Sequence, residues 1–266
     1  VFGMRLTRYS LFSIIGVIVH LKEVKMIDYS KQADIASAFY GTGEFLKKWA
    51  DESIDDENDF ALFNTLLQPF IKEKTPDFFI MGAGYGRLLS EMIDCYSDSH
   101  FTAIEIARNF IILLADLKYS DTLRFSRLRV IMEDMKVFIP SISADRICVV
   151  TFQWATLAEL GSRTNLERFI KQISSYHSSM ILIGDMPYPE AYDSLMKEFS
   201  QRYSLDEHEY GLMIVPSQLS EHVVYIPRKE LLFKMFSDEG FDTINSVDYC
   251  NKVGIKRYYF CAQKQT

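Results

Sequence analysis

Between Thr75 and Gly184 the chain repeats one pattern, a short and mostly apolar run followed by apolar residues at helical spacing. The runs are Asp77-Phe78-Phe79-Ile80-Met81-Gly82, Phe101-Thr102-Ala103-Ile104-Glu105, Arg129-Val130-Ile131-Met132, Ile147-Cys148-Val149-Val150-Thr151 and Met180-Ile181-Leu182-Ile183-Gly184. The helical faces are Leu88, Leu89, Met92 and Ile93, then Phe110, Leu113, Leu114 and Leu117, then Leu166, Phe169, Ile170 and Ile173. A strand with one wet face alternates apolar and polar residues. A continuous apolar run must be covered on both faces, which predicts parallel strands between helices. The fold class is therefore α/β, a doubly wound sheet. A helix through Leu231, Leu232, Met235 and Phe236 follows, stopped by Gly240. Two last strands, 243–249 and 256–262, are joined by a short link and so are expected to be antiparallel.

The ends of the chain differ from this middle. Arg5 and Arg8 precede an apolar run from Leu11 to Leu21. A spanning helix needs roughly 20 apolar residues, so no stable membrane insertion is expected. Lys22-Glu23-Val24-Lys25 follows where a secretory signal would carry a small-residue cleavage site. Residues 1–25 are read as an extension outside the functional fold, either non-native or a docking segment. Residues 26–74 are read as a helical lid, with Tyr29, Phe39 and Tyr40 facing the cleft and Gly41 and Gly43 as a hinge. Residues 75–266 form the main domain, with a polar, Tyr-rich cap insertion at about 186–226.

The net charge of -7 argues against a protein held to nucleic acid by phosphate contacts. Cys95, Cys148, Cys250 and Cys261 contain no C-x-x-C pair, which excludes a disulfide-dense scaffold and an ordinary zinc site. The same spacing fits a reducing compartment, hence the cytoplasm, and no metal is expected.

The segment Ile80-Met81-Gly82-Ala83-Gly84-Tyr85-Gly86-Arg87-Leu88 joins the first strand to its helix. Glycines at alternate positions let the chain turn sharply and let a ligand lie against main-chain N–H groups. Glu105 closes the next strand, where an acid faces the cleft and can accept from both hydroxyls of a ribose. A dinucleotide fingerprint places its third small residue where Arg87 stands, which counts against an NAD-dependent oxidoreductase without removing that alternative.

The G-x-G-x-G spacing with Glu105 downstream resembles motif I of the class I S-adenosylmethionine-dependent methyltransferases. The resemblance covers roughly residues 70–264 and includes Gly240-Phe241 and Arg257-Tyr258-Tyr259-Phe260, similar to the family's reversed last strand. It implies a seven-stranded, mostly parallel sheet, S-adenosyl-L-methionine as cofactor, and methyl transfer to a small-molecule acceptor at oxygen or nitrogen. It further implies that Gly82, Ala83, Gly84 and Gly86 hold the methionine portion, that Glu105 with Ile106 holds the ribose, and that Asp134 with Met135 meets the adenine. Thr151-Phe152-Gln153-Trp154 would lie across the cofactor and the transfer site. Ile80 departs from the pattern, because the family carries an acid before its first glycine. The amino-acid end of the ligand then falls to a residue from the N-terminal helices or to backbone, and a non-catalytic scaffold that kept the fold stays open as an alternative.

Candidate bases for an acceptor that must lose a proton are Asp185, His208 and His222. Candidate acceptor contacts are Tyr29, Tyr40, Gln153, Trp154, Tyr188 and Tyr210. A homodimer is compatible with this reading.

Overall fold

The computed structural model describes residues 58–71, 74–142, 145–194, 196–197, 211–215, 222–251 and 254–264. In chain order these form α1 (Asp59–Ile71), β1 (Pro76–Met81), α2 (Leu89–Cys95), β2 (His100–Glu105), α3 (Arg108–Ser120), β3 (Leu128–Met132) and β4 (Ile147–Phe152). A 3-10 turn (Thr156–Leu160), α4 (Arg163–Ser174), β5 (Met180–Pro187) and a second 3-10 turn (Pro189–Tyr192) follow. The chain continues through β6 (Leu212–Val215), β7 (His222–Tyr225), α5 (Lys229–Asp238), β8 (Phe241–Cys250) and β9 (Lys256–Lys264).

Seven strands make one sheet in the order β3-β2-β1-β4-β5-β9-β8. The first five are parallel, and β9 runs antiparallel to both β5 and β8. The expected doubly wound sheet with a reversed last strand is what forms. Order reverses between β1 and β4, so the loops leaving these two strands diverge and open a crevice at their C-terminal ends. β1 and β4 are buried at every residue, as their unbroken apolar runs require.

Side-chain alternation sorts the core onto two faces. On one face, Phe78 and Ile80 of β1, Val149 of β4, Ile181 and Ile183 of β5 and Tyr259 of β9 pack under α1 and α2. On the other, Phe79, Val150, Leu182 and Phe260 pack with Leu166 and Phe169 of α4 and Leu232 and Phe236 of α5. The described part of the segment expected as a lid is thus a core helix, α1, which buries Phe63, Leu66, Leu67, Phe70 and Ile71. Its first residue, Asp59, lies at the crevice end of the sheet.

Within the expected cap, β6 and β7 form an antiparallel hairpin that the polar composition of this stretch did not disclose. Val223, Val224 and Tyr225 join the second core face, so tertiary burial sustains these strands. Among the described residues no helix is long and apolar enough to cross a membrane.

Candidate active site

The glycine turn is built as its spacing predicts. Gly82, Gly84 and Gly86 have φ of +58°, +56° and +84°, a region that side-chain-bearing residues rarely adopt. Their surroundings separate three roles. A Cβ at Gly82 would meet Thr156 Cγ2 at 2.6 Å, and one at Gly86 would meet Leu114 Cδ2 of α3 at 2.9 Å. A Cβ at Gly84 would meet nothing within 4 Å. Gly82 and Gly86 therefore permit close packing, and Gly84 faces open space. The close approach that a dinucleotide fingerprint assigns to the position of Arg87 is made here by Gly86.

Glu105 stands at the end of β2 and ties this turn down. Its Oε2 accepts from Gly84 N at 2.7 Å, and its Oε1 accepts from Ile106 N and Ala107 N, each at 2.8 Å. Burial raises the carboxyl above the ordinary glutamate value, opposed by those three N–H groups, while the charge of Glu159 pushes in the same direction as burial. Oε2 takes one main-chain N–H and keeps acceptor capacity for a further donor. Asp134 follows β3, where its Oδ1 accepts from Lys136 N at 2.9 Å and its Oδ2 lies 3.3 Å from Lys136 Nζ. Met135 packs partly buried beside it, against the α4 face.

The end of β4 carries the second half of the crevice. Thr151 is buried, and Phe152 meets Phe169 edge-on at 6.0 Å. One step beyond the paired Phe152 and Gly184, Gln153 and Asp185 come level with Tyr259, which pairs with Asp185 in β9. Tyr259 Oη donates to Gln153 Oε1 at 3.3 Å. Among the described residues Gln153 Nε2 and Thr151 Oγ1 have no hydrogen-bond partner, although both are buried.

Trp154 and Ala155 follow with φ of 57° and 59°, two successive non-glycine residues in the left-handed region. Such backbone costs roughly 1–2 kcal/mol per residue and persists only where neighbours enforce it. Asp185 does so here. Its Oδ1 accepts from Trp154 N at 2.6 Å, and its carbonyl accepts from Ala155 N at 3.1 Å. The other carboxylate oxygen is held by the Arg257 guanidinium and lies 3.3 Å from Tyr249 Oη. Asp185 is 1% exposed. Its Oδ1 and carbonyl anchor the Trp154 turn, Arg257 takes Oδ2, and the side chain presents no open face to an acceptor.

Two guanidinium groups lie against the Trp154 ring, Arg87 at 4.8 Å and Arg257 at 5.6 Å from its centroid. Each is ion-paired in turn, Arg87 with Asp59 and Arg257 with Asp185, and all four side chains are under 9% exposed. Burial drives the tyrosine hydroxyls of this layer upward, Tyr249 and Tyr259 alike, with Asp185 adding to the effect. They stay protonated donors at any physiological pH.

The other expected residues fall in different places. His222 is fully buried, and its Nε2 lies 2.6 Å from Glu159 Oε2, a contact that fastens β7 to the 3-10 turn after β4. Tyr188 lies at the rim beyond β5, where its Oη donates to Asp248 at 2.7 Å and its ring packs on Tyr258 at 5.1 Å. Tyr29, Phe39, Tyr40, His208 and Tyr210, with the hinge glycines Gly41 and Gly43, lie outside the described residues. Asp77, the nearest acid upstream of the glycines, accepts from Arg146 Nε at 2.6 Å at the opposite end of β1. No cluster of acids, histidines and cysteines that could hold a metal occurs among the described residues.

Nothing in the sequence set Asp59, Arg87 and Arg257 apart as members of buried ion pairs at this site. Each acquires its place through a partner far along the chain, with no local spacing to mark it.

No family model and no curated protein matches the sequence. Solved structures match its fold. A SAM-dependent methyltransferase from Methanosarcina mazei superposes with a TM-score of 0.57 at 16% identity, over 74% of this chain and 95% of that one. Magnesium protoporphyrin IX methyltransferase from Synechocystis, crystallised with bound SAM, gives 0.56 at 10% identity, over 91% and 99%. The 1,6-didemethyltoxoflavin-N1-methyltransferase of Burkholderia thailandensis, with bound 1,6-didemethyltoxoflavin and S-adenosylhomocysteine, gives 0.57 at 10% identity, over 100% and 94%.

Proposed function

We propose that this chain, whose fold is that of the class I S-adenosylmethionine-dependent methyltransferases, binds S-adenosyl-L-methionine and transfers its methyl group to a small-molecule acceptor at oxygen or nitrogen. The observation that carries the reading is the open, left-handed Gly84 whose N–H is bonded to the buried Glu105 carboxylate. This is a cradle with the open main chain of Gly84 on one side and a carboxylate that can accept from ribose hydroxyls on the other.

S-adenosyl-L-methionine supplies a methyl group already activated by a sulfonium. The residues of this chain then have to bind, orient and exclude water. Gly82, Ala83, Gly84 and Gly86 cradle the methionine portion, Glu105 and Ile106 take the ribose, and Asp134 and Met135 flank the adenine. Thr151 and Phe152 form the floor. Gln153 and Trp154 face the acceptor, the backbone at Trp154 and Ala155 fixed by Asp185. Fixed approach geometry of this kind can supply ~7–11 kcal/mol of barrier reduction. Asp185 and His222 are engaged with Arg257 and Glu159 and act in positioning. Tyr29, Tyr40 and Tyr210 are assigned acceptor contacts and His208 a base role, all outside the described residues, with Tyr188 at the rim.

The acidic charge favours a small acceptor over nucleic acid, and the cap hairpin over the second core face supports the same choice. The free cysteines Cys95, Cys148, Cys250 and Cys261 fit the cytoplasm. A homodimer is consistent with this reading. Calorimetry with S-adenosylhomocysteine and with NAD tests it. Micromolar binding of the first and far weaker binding of the second is expected; tighter NAD binding overturns the reading.

A further inference from the structure

β3 ends the sheet, so its outer edge has no strand beside it among the described residues. Its ladder with β2 runs from Leu128 to Met132 without a bulge. Arg127 O accepts from Phe101 N at 3.1 Å, and Glu133 N donates to Glu105 O at 3.0 Å. In a parallel ladder alternate residues turn both main-chain groups to the same neighbour. Arg129 and Ile131 therefore turn theirs to β2, and Val130 and Met132 turn theirs outward. Edge strands are ordinarily protected by lysine, proline or a bulge. The run Leu128-Arg129-Val130-Ile131-Met132 has none of these, and Met132 is 64% exposed.

The exposed apolar surface continues on both faces of the sheet. On the face that buries Leu114, α3 packs against β3 and exposes Ile112 and Leu113. On the face that buries Phe138, the segment leaving β3 exposes Val137 and Ile139. A stable interface covers roughly 800 Å² per partner, more than one strand edge offers, and these flanks extend the apolar surface beyond it. Arg129 is the one charge of the strand, and a charge on an edge ordinarily discourages a second strand. Here Glu133 lies on the same side of the strand as Arg129, since both are two positions from Ile131. Neither side chain has an ion pair among the described residues. A base and an acid spaced evenly about Ile131 are complementary to their own image under a half-turn.

We propose that a second copy of this chain pairs with β3 edge to edge, antiparallel about a two-fold axis at Ile131, so that two seven-stranded sheets become one. Val130 and the partner's Met132 then exchange both main-chain bonds, as do Met132 and the partner's Val130. Ile131 meets the partner's Ile131 in the position between them, and Arg129 meets the partner's Glu133 on either side of the axis. Bond parity admits an axis at a residue and none between residues, and charge then chooses among the residues. An axis at Val130 sets Arg129 against Ile131, and an axis at Met132 sets Ile131 against Glu133. Both lose the ion pairs that the axis at Ile131 forms. This interface does not depend on what the crevice binds.

Sedimentation equilibrium on the full chain tests the register by charge swap, with wild type expected to be a dimer that dissociates in the micromolar range. Arg129→Glu opposes like charges at both symmetric contacts, and so does Glu133→Arg. Each is expected to weaken the dimer by about 10- to 100-fold. The double variant Arg129→Glu/Glu133→Arg restores the complement and should return to within about 3-fold of wild type. Met132→Pro removes an outward N–H, which an edge strand tolerates, and should weaken the dimer by at least about 10-fold with an unchanged far-UV circular dichroism spectrum. A full chain that stays monomeric at about 100 μM overturns the proposal, whether residues 1–57, outside the described ones, or solvent then takes the edge. A dimer indifferent to Met132→Pro or to the charge reversals lies on another face and overturns it too. Weakened single variants with no recovery in the folded double variant overturn the register, and the proposal with it.

Discussion

The main-chain N–H of Trp154 donates to Oδ1 of Asp185 at 2.6 Å, tying the residue that leaves β4 to the end of β5. A short bond from a buried carboxylate holds a backbone that would otherwise relax out of the left-handed region. The other oxygen belongs to Arg257, whose strand β9 runs in reverse beside β5. The reversed strand thus has a local consequence, because antiparallel pairing brings the start of β9 to the crevice end of the sheet, and with it a cation for Asp185.

Removing Asp185 should be damaging through Arg257. Asp185→Ala leaves a buried guanidinium without its partner, and breaking such a pair typically costs about 3–5 kcal/mol. Asp185→Ala/Arg257→Met removes both charges and should recover much of that loss. Urea denaturation of the two variants and of wild type checks this. A double variant no more stable than the single one would show that the pair does not carry the cost.

The three glycines of the turn should respond differently to the same substitution. Gly86→Ala combines an unfavourable φ with a collision against Leu114, and should lower the melting temperature. Gly84→Ala meets no protein atom and carries only the backbone penalty, roughly 1–2 kcal/mol. Its methyl group instead occupies the space beside the Glu105 carboxylate. Thermal melts with S-adenosylhomocysteine titrations should show Gly84→Ala losing ligand more than stability and Gly86→Ala the reverse. Equal ligand loss in both would remove the distinction drawn between them.

His222 should prove to be a fastener. A general base that acts in the rate-limiting step contributes about 100- to 10,000-fold, but it must reach the acceptor, and this imidazole is 0% exposed and bonded to Glu159. His222→Gln is expected to speed hydrogen exchange of the amides in β6 and β7 while changing S-adenosylhomocysteine affinity by less than about 3-fold. Unchanged exchange in the hairpin would remove the fastening role.

What could be read from the sequence, and what could not, follows the range of the interactions. The parallel strands were legible because burial on both faces leaves an unbroken apolar run, as in Ile147-Cys148-Val149-Val150. The glycine turn and Glu105 were legible because the constraint is local, twenty-odd residues within one β-α-β unit. The Asp59–Arg87 and Asp185–Arg257 pairs were not, since neither acid differs in its local sequence from a solvated one. The role of Asp185 was misjudged for the same reason, because an acid at a strand end looks open until β9 folds back beside it. The hairpin of β6 and β7 was hidden by polar neighbours, and its apolar side is visible only against α4 and the 3-10 turn.

Glu105 should give ligand binding and stability opposite dependences on pH. Burial raises its folded-state value above the ordinary 4.5, against the pull of Ala107, Gly84 and Ile106 N–H groups. A carboxyl with a raised folded value contributes stability that is fully present below its unfolded value and is lost as pH rises through the folded one. Ribose binding has the other sign, because the ionised form is the better acceptor for two hydroxyl donors. As pH falls through a window that opens above 4.5, wild-type affinity for S-adenosylhomocysteine should therefore drop. Glu105→Ala should bind about 10- to 150-fold more weakly above that window, the value of a charge-assisted contact of 1.5–3 kcal/mol, and should show no further drop within it. Calorimetry across the window on both proteins decides the matter. Parallel profiles for wild type and variant would remove the carboxylate from the ribose, leaving Glu105 only its bonds to the main-chain N–H groups of Gly84, Ile106 and Ala107.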